Sequence, residues 1–465
     1  MKNSTAPRGL SALFQPIDLT EGACWKTILR FSFPIILSYL LQQVYSISDA
    51  AIVGQTLSAP EVAGVNDIAP IVNIFLQFAF GVSAGFCVVT SCNVGAHNPA
   101  GVRRSMTTQI VLSAALTVLL TALALVLLDP MLAWINVTPE SPEVYRAAYT
   151  YCAIIFAGIG AQLFYNFICS FLRSMGDSVT PLMFLLFSTA LNVGLDLLFI
   201  VSFRWGVAGA AIATVTAQFI SCVWILHFLS SEKSGIRICL KDMRPDRQIL
   251  LSTCALGVSP CTFRINESIV VILLNRLLLA YGGEQANLHL ASMAILSSAS
   301  QVFFMPLLGI VTGAQPLLSY NYGAENYARI RQTIHYARIL SVGCAALMWA
   351  ALVFFPEAVC GMFSDNPELI LLTKKTMRIM FSTVLFLGFQ MINQNAFVAM
   401  GNTRYSFLFG IMRKVLILVP LALILPHFIG VWGIYAAEAV SNPLTTIITF
   451  AVFERYMGTL KERMA

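Results

Sequence analysis

Apolar residues run along this chain in blocks of about 20, separated by short polar stretches, and each block is long enough to cross a hydrocarbon core. Inside lipid a backbone must satisfy its own polar groups, so these blocks are read as helices. They fall near residues 31–53, 68–91, 106–128, 148–171, 181–201, 206–229, 249–280, 288–317, 334–355, 376–399, 405–425 and 430–453. The pattern predicts an all-α polytopic membrane protein with twelve transmembrane helices. The first 27 residues are polar and mixed in charge, with no cleavable signal peptide. Within them "IDLTEGACWKTIL" predicts a short interfacial helix, capped by Asp18 or Thr20 and anchored at the headgroups by Trp25.

Composition agrees: 58% of the 465 residues are hydrophobic, 11% are charged, and mean hydropathy is +0.78. A soluble domain carries about 25% charged residues. The 11 cysteines are scattered through apolar runs without a C-x-x-C, and the five histidines lack ligand spacing, so neither set suggests a metal or disulfide framework. The net charge of +6 raises the question of a nucleic-acid partner, but its distribution answers it differently. Lys and Arg concentrate in alternate connections: Lys2, Arg8, Lys26 and Arg30 before span one, Arg103 and Arg104 after span two, and Arg173 after span four. The series continues with Lys233, Arg237, Lys241, Arg244 and Arg247 after span six, Arg329 and Arg331 after span eight, Arg404 after span ten, and Arg455, Lys461 and Arg463 at the C-terminus. The intervening connections are poor in positive charge, which places both termini and the sixth connection in the cytoplasm. Lys374, Lys375 and Arg378, at the outer end of span ten, break the pattern.

The two halves resemble each other. "NVGAHNPAGVRR" after span two matches "NYGAENYARIRQ" after span eight, pairing Asn93 with Asn321 and Asn98 with Asn326. At the same offset Gly81 and Gly85 pair with Gly309 and Gly313, two small-residue faces suited to close helix packing. "MGD" at 175 matches "MGN" at 400, and "GVAGAAIA" at 206 matches "GVWGIYAA" at 430. Such a duplication of six spans gives parallel repeats, as in transporters. The expected organisation is a six-helix bundle at 1–229 carrying a cation site, a cytoplasmic linker at 230–248, and a pseudo-symmetric six-helix bundle at 249–465. Pro34, Pro260, Pro306 and Pro420, inside spans, are expected to kink their helices.

Four carboxylates lie well inside the spans: Asp49, Asp196, Glu267 and Glu438. Intramembrane carboxylates are functional candidates because their charged form is costly in lipid. Span one carries Gln42, Tyr45 and Asp49 at helical spacing; span five presents Asn192 and Asp196 on one face, and Thr214 of span six can join them. Such a cluster can bind Na⁺ through oxygen ligands or take up a proton. The repeat sets Asp49 against Asn275 and Thr214 against Glu438, so the acidic cluster belongs to the first half alone. The second half offers Arg264 and Glu267 on span seven, Gln301 on span eight, and Gln390, Asn393 and Gln394 on span ten. Together with Gln42, Tyr45, Asn73, Gln77 and Asn166, these are the candidate substrate-contact residues. Arg264 is the clearest deep basic residue, with Arg276, Arg413 and Lys414 read as nearer the span ends.

The stretches "QQVYSISDAAIVG", "NVGAHNPAGVRRS", "FLRSMGDSVTP", "LNVGLD", "YNYGAENYARIRQ" and "GVWGIYAAEAVSNPL" resemble the multidrug and toxic compound extrusion (MATE) family over essentially the whole length. The likeness is to its bacterial branch of DinF- and MepA-like exporters. The resemblance implies two six-helix bundles and export of cationic or amphipathic drugs, driven by inward H⁺ or Na⁺ and working by alternating access. It implies a multi-pass protein of the bacterial cytoplasmic (inner) membrane, monomeric in the lipid bilayer, with no cofactor beyond the coupling ion, no nucleic-acid partner and no enzymatic activity. The family's span-one Asp maps to Asp49, its span-five pair to Asn192 and Asp196, and its span-six Thr to Thr214. A lipid-linked oligosaccharide flippase shares the superfamily architecture but is expected to line its cleft with several basic residues.

Overall fold

The structure, a computed structural model, describes Leu19, residues 22–230 and residues 245–464, excepting the side chains of residues 228–230, 259–261, 263–265 and 268. The described residues are all-helical, with no strand among them. Nine of their helices are long and apolar enough to cross a membrane, and a bent pair makes a tenth. The seventh and tenth spans complete the twelve, as one long helix with a polar interruption and as two shorter pieces.

In the first half these are α1 (Cys24–Thr56), α2 (Ala59–Gly95), α3 (Pro99–Val126), the short α4 (Leu128–Trp134), α5 (Pro142–Ala157) with α6 (Ile159–Ser174), α7 (Val179–Asp196) and α8 (Gly206–Ser230). In the second half they are α9 (Arg247–Tyr281), α10 (Ala286–Gly323), α11 (Tyr327–Phe354), the short α12 (Pro356–Gly361), α13 (Pro367–Met380), α14 (Val384–Ala399), α15 (Thr403–Ile411), α16 (Val419–Ile424), α17 (Pro426–Ile429) and α18 (Trp432–Met464). A single α1 replaces the separate interfacial helix: Trp25 stands on its first turn with Lys26 over its ring, while Asp18 and Thr20 lie outside the described residues. Helices α1 and α10 run on through Pro34 and Pro306. Pro420 stands in the first turn of α16, where span eleven leaves its π-helical stretch. Span four bends by 45° at Gly158, and span ten parts between Met380 and Val384. Spans five and eleven pass into π-helical stretches, Leu197–Ser202 and Met412–Leu418.

The matched motifs of the two halves are matched capping devices. Asn98 accepts from Gly101 N at 2.9 Å and Asn326 from Arg329 N at 3.1 Å, each capping the N-terminus of the helix that follows. The residue before each cap, His97 or Glu325, has positive φ. Asn93 Nδ2 donates to Val89 O and Asn321 Nδ2 to Leu317 O, one turn back in each case. The "MGD" and "MGN" turns likewise place Gly176 and Gly401 at positive φ, where a Cβ is strained, and Asp177 and Asn402 as acceptors for the next helix.

Two compact units form. One comprises Leu37–Gly257, and the other comprises Leu19–Ile36 with Val258–Ala465. The boundaries differ from the 1–229 and 249–465 read from the sequence, because the start of each half's first helix packs into the other unit. In the first unit Gly257 of α9 lies backbone-on-backbone against α2: a Cβ there would sit 2.9 Å from Gly81 O. In the second, Gly313 of α10 takes Ser32 of α1, whose Cα lies 2.9 Å from the place of the missing Cβ. Without a hydrophobic drive between helices in lipid, such close approach is a main source of association.

The first unit's core includes Phe86, Phe156, Ile168 and Phe171, all fully buried; the second's includes Leu278, Leu296, Tyr435 and Phe397. Large apolar side chains such as Phe33, Val118 and Leu347 point outward, as the lipid-facing side of a spanning helix requires. Two of the three positive charges that break the loop pattern, on α13, have partners. Lys374 pairs with Glu357 of α12 and Arg378 donates to Val353 O at the end of α11. The Lys374 hydrogen bond and charge hold the Glu357 carboxyl below its ordinary range.

Candidate functional site

The first unit contains a cavity of about 550 Å³. α1 supplies Gln42, Tyr45, Ser46 and Asp49 to its wall, α2 supplies Asn66 and Asn73, and α5 and α6 supply Tyr151 and Gln162. From α7 come Thr189 and Asn192, and from α8 Thr214 and Gln218. Among the described residues no Lys, Arg or His lines it. Asp49 is half-buried, whereas Asn192 and Asp196 are 2% and 0% exposed. Asp196 is not itself a lining residue. It sits behind Asn192, which separates it from the open space.

The contacts explain why both α7 polar residues are needed. Oriented by its neighbours, the Asn192 amide donates to Asp196 Oδ2 at 2.9 Å. Its other end lies 3.3 Å from the backbone N–H of Thr214 and 3.4 Å from the Thr214 hydroxyl. The Tyr45 hydroxyl stands 3.5 Å from that same hydroxyl. A polar chain therefore runs from α1 through α8 and α7 to Asp196. It stops there, because Asp196 Oδ1 has no hydrogen-bond partner among the described residues. A fully buried carboxylate oxygen without a partner is costly. Asp49 lines the same cavity as Asn192. No cationic side chain forms an ion pair with either carboxylate among the described residues. Two carboxylates, an amide oxygen and hydroxyls form an oxygen-rich, negatively charged set that fits a hard monovalent cation or a proton. Among the described residues no group of three or more His, Cys, Asp or Glu is arranged to hold a metal ion.

Local structure positions these groups. Asp196 is the last residue of α7 before the π-helical stretch, a widening often found at functional sites. The bend at Gly158 makes room for Val215 of α8, whose Cβ lies 3.0 Å from where a Gly158 side chain would begin. Val215 follows Thr214, so the break in span four lets α8 bring Thr214 to the cluster. Tyr151 of α5 lines the same cavity as Tyr45 and Asp49. The sequence reading missed it, because a Tyr near the start of an apolar span looks like an interfacial anchor.

Thus the structure brings together Asp49, Asn192, Asp196 and Thr214, and adds Gln42, Tyr45 and Asn73 from the candidate substrate residues. Gln77 and Asn166 are half-buried on α2 and α6 and do not line the cavity. In the second unit Gln301 is exposed, and buried Gln390 donates to Gln394 at 3.1 Å. Asn393 is taken by Arg338, which donates to it at 2.8 Å, pairs with Glu454 and rests on Phe389, Phe450 and Phe453. That arrangement is a packing node rather than an open binding wall. The Arg264 side chain lies outside the described residues. Arg413 and Lys414, read as near a span end, are instead inside it: Arg413 is buried, and both pair with Glu438.

Comparison with known proteins gives a consistent result. The family model described as MatE matches residues 34–198 and 265–424. The chain is 23% identical over 435 residues to a probable multidrug resistance protein, YoeA, of Bacillus subtilis (strain 168), covering 91% of this chain and 92% of that one. It is 20% identical over 441 residues to the multidrug export protein MepA of Staphylococcus haemolyticus (strain JCSC1435), covering 94% and 95%. A crystal structure of MATE in the bent conformation superposes with a TM-score of 0.89 at 22% identity, covering 96% of this chain and 98% of that one.

Proposed function

The chain belongs to the MatE family of multi-pass membrane transporters, and from that premise we propose that it is an antiporter. It exports cationic or amphipathic organic compounds in exchange for H⁺ or Na⁺ by alternating access. The observation that carries this reading is the buried, partnerless Oδ1 of Asp196 beside a polar cavity that holds Asp49 and no basic side chain. Asp49 and Asp196 load the inward-moving ion. Asn192 and Thr214 hold Asp196 in place and contribute oxygens, and Gln42, Tyr45 and Asn73 meet the substrate. An ion entering the carboxylate pair removes the charge that lipid disfavours, and a substrate cation competes for the same negative field. The membrane potential adds about 2.3 kcal/mol per inward charge per 100 mV. The printed names of YoeA and MepA support drug-like substrates. A flippase for a diphosphate-linked lipid needs basic groups, and among the described residues none lines this cavity. The protein works as a monomer in the bacterial cytoplasmic membrane, with both termini in the cytoplasm.

The test is ethidium export by purified protein in liposomes under imposed ΔpH or ΔNa⁺. The wild type is expected to respond to one of the two gradients. Asp49→Asn and Asp196→Asn are expected to lose that response by at least about tenfold, as when a transition-limiting ion contact is removed. Gradient-driven rates equal to wild type in both variants sink the proposal.

A further inference from the structure

The second unit holds a buried charge cluster that this mechanism leaves unused. Arg413 lies on the π-helical stretch Met412–Leu418 and is 5% exposed. Its Nη1 is 3.4 Å from Glu438 Oε1 and its Nη2 is 3.8 Å from Glu267 Oε1. Lys414 Nζ is 3.2 Å from Oε1 and 3.4 Å from Oε2 of Glu438. Glu438 stands on α18 at the repeat position of Thr214, the α8 member of the first unit's acidic cluster. Each half therefore places a polar cluster between its fifth and sixth spans, but the charges differ. Among the described residues, the two carboxylates of the first have no cationic side chain paired with them, whereas the two of the second pair with two basic side chains, whose formal charges balance theirs. A carboxylate buried in a spanning bundle requires a positive partner. In the first unit that partner must arrive from outside; in the second it is covalently attached.

We propose that Lys414 and Arg413 are tethered cations that keep the second unit's cluster permanently loaded, so that Lys414→Met converts Glu438 into a binding site for an exchangeable monovalent cation. The inference rests on reading the first unit's cluster as an ion-exchange site. Removing Lys414 leaves Glu267 and Glu438 sharing Arg413, a net charge of the same sign as the first unit's cluster. Among the described residues, these are the charged groups within salt-bridge distance of one another there.

The experiment is read in an Asp196→Asn background, so that its outcome is separate from that of the first-unit site, which is judged by wild-type gradient response. Purified Asp196→Asn, Asp196→Asn/Lys414→Met and a triple variant adding Glu438→Gln are melted across a Na⁺ series at fixed pH. They are also melted across a pH series without Na⁺, and the two series separate sodium from the proton as occupant. The Lys414→Met protein is expected to gain a melting temperature that rises with one of these cations. The rise is a few degrees over about a hundredfold range. The triple variant is expected to lose that gain, because charge and partner have gone together. If Lys414→Met protein folds only when the cation is supplied, that rescue is the same result. A Lys414→Met protein whose cation response equals that of its parent overturns the proposal. So does one that no Na⁺ concentration or pH rescues while the triple variant folds.

Discussion

Asp196 and Asn192 show how much one helical turn can decide. Asp196 is fully buried, and the amide of Asn192, which lines the cavity, donates to it at 2.9 Å. Asn192→Ala is therefore expected to leave the carboxylate in place but unsupported. One hydrogen bond to a charged group is worth about 1.5–3 kcal/mol, so the apparent affinity for the coupling ion should change by about tenfold or more while the fold persists. Ion-dependent melting of the purified variant measures this, and an unchanged affinity would show that Asn192 serves packing alone. The same scale exposes residues whose polarity misleads. Asn393 looked like a substrate contact because an amide stands out in an apolar span. Its carbonyl is already occupied by Arg338, whose charge is met by Glu454 and three phenylalanine rings.

Among the elements, the repeat motifs have a mechanical explanation. "NVGAHNPAG" and "NYGAENYAR" each end a long helix, turn the chain through a positive-φ residue and cap the next helix with an asparagine. Those signals are local, so they were legible in the sequence. The breaks in spans four and ten were not, because the Gly158 bend exists for the sake of Val215, more than fifty residues away. Of the interior prolines, Pro34 and Pro306 lie within the continuous helices α1 and α10. Close packing of α9 on α2 also belongs to this scale. Gly257→Leu must push the two backbones apart, and about 1–3 kcal/mol of destabilisation is expected from such overpacking. A lowered melting temperature in detergent would register it. A variant as stable as wild type would show that this contact does not hold the first unit together.

At the scale of the molecule, two units arise from a duplicated sequence and have diverged in charge. The first keeps an acidic cluster beside a cavity; the second has filled the corresponding position with its own basic side chains. Orientation is a property of the whole chain, set by Lys and Arg summed over the connections. A cysteine introduced in place of Glu140, in a cysteine-depleted background, should react with an impermeant thiol reagent in intact cells. One in place of Glu325 should react only after permeabilisation. The opposite labelling pattern would reverse the assignment of both termini to the cytoplasm.

Hydropathy, charge and the matched motifs were enough to indicate the membrane class, the spans and the duplication, and they singled out Asp49, Asn192, Asp196 and Thr214 as candidates. Each of these depends on local composition or on residues one helical turn apart, and the bilayer leaves helices as the only solution for such segments. Tertiary structure decided the rest. It fixed which helix start packs into which unit, where spans break, that Tyr151 lines the cavity with Asp49, and that Arg413 and Lys414 pair with Glu438. These features depend on groups distant in sequence meeting at short range, and a hydropathy pattern carries no record of which distant groups will meet.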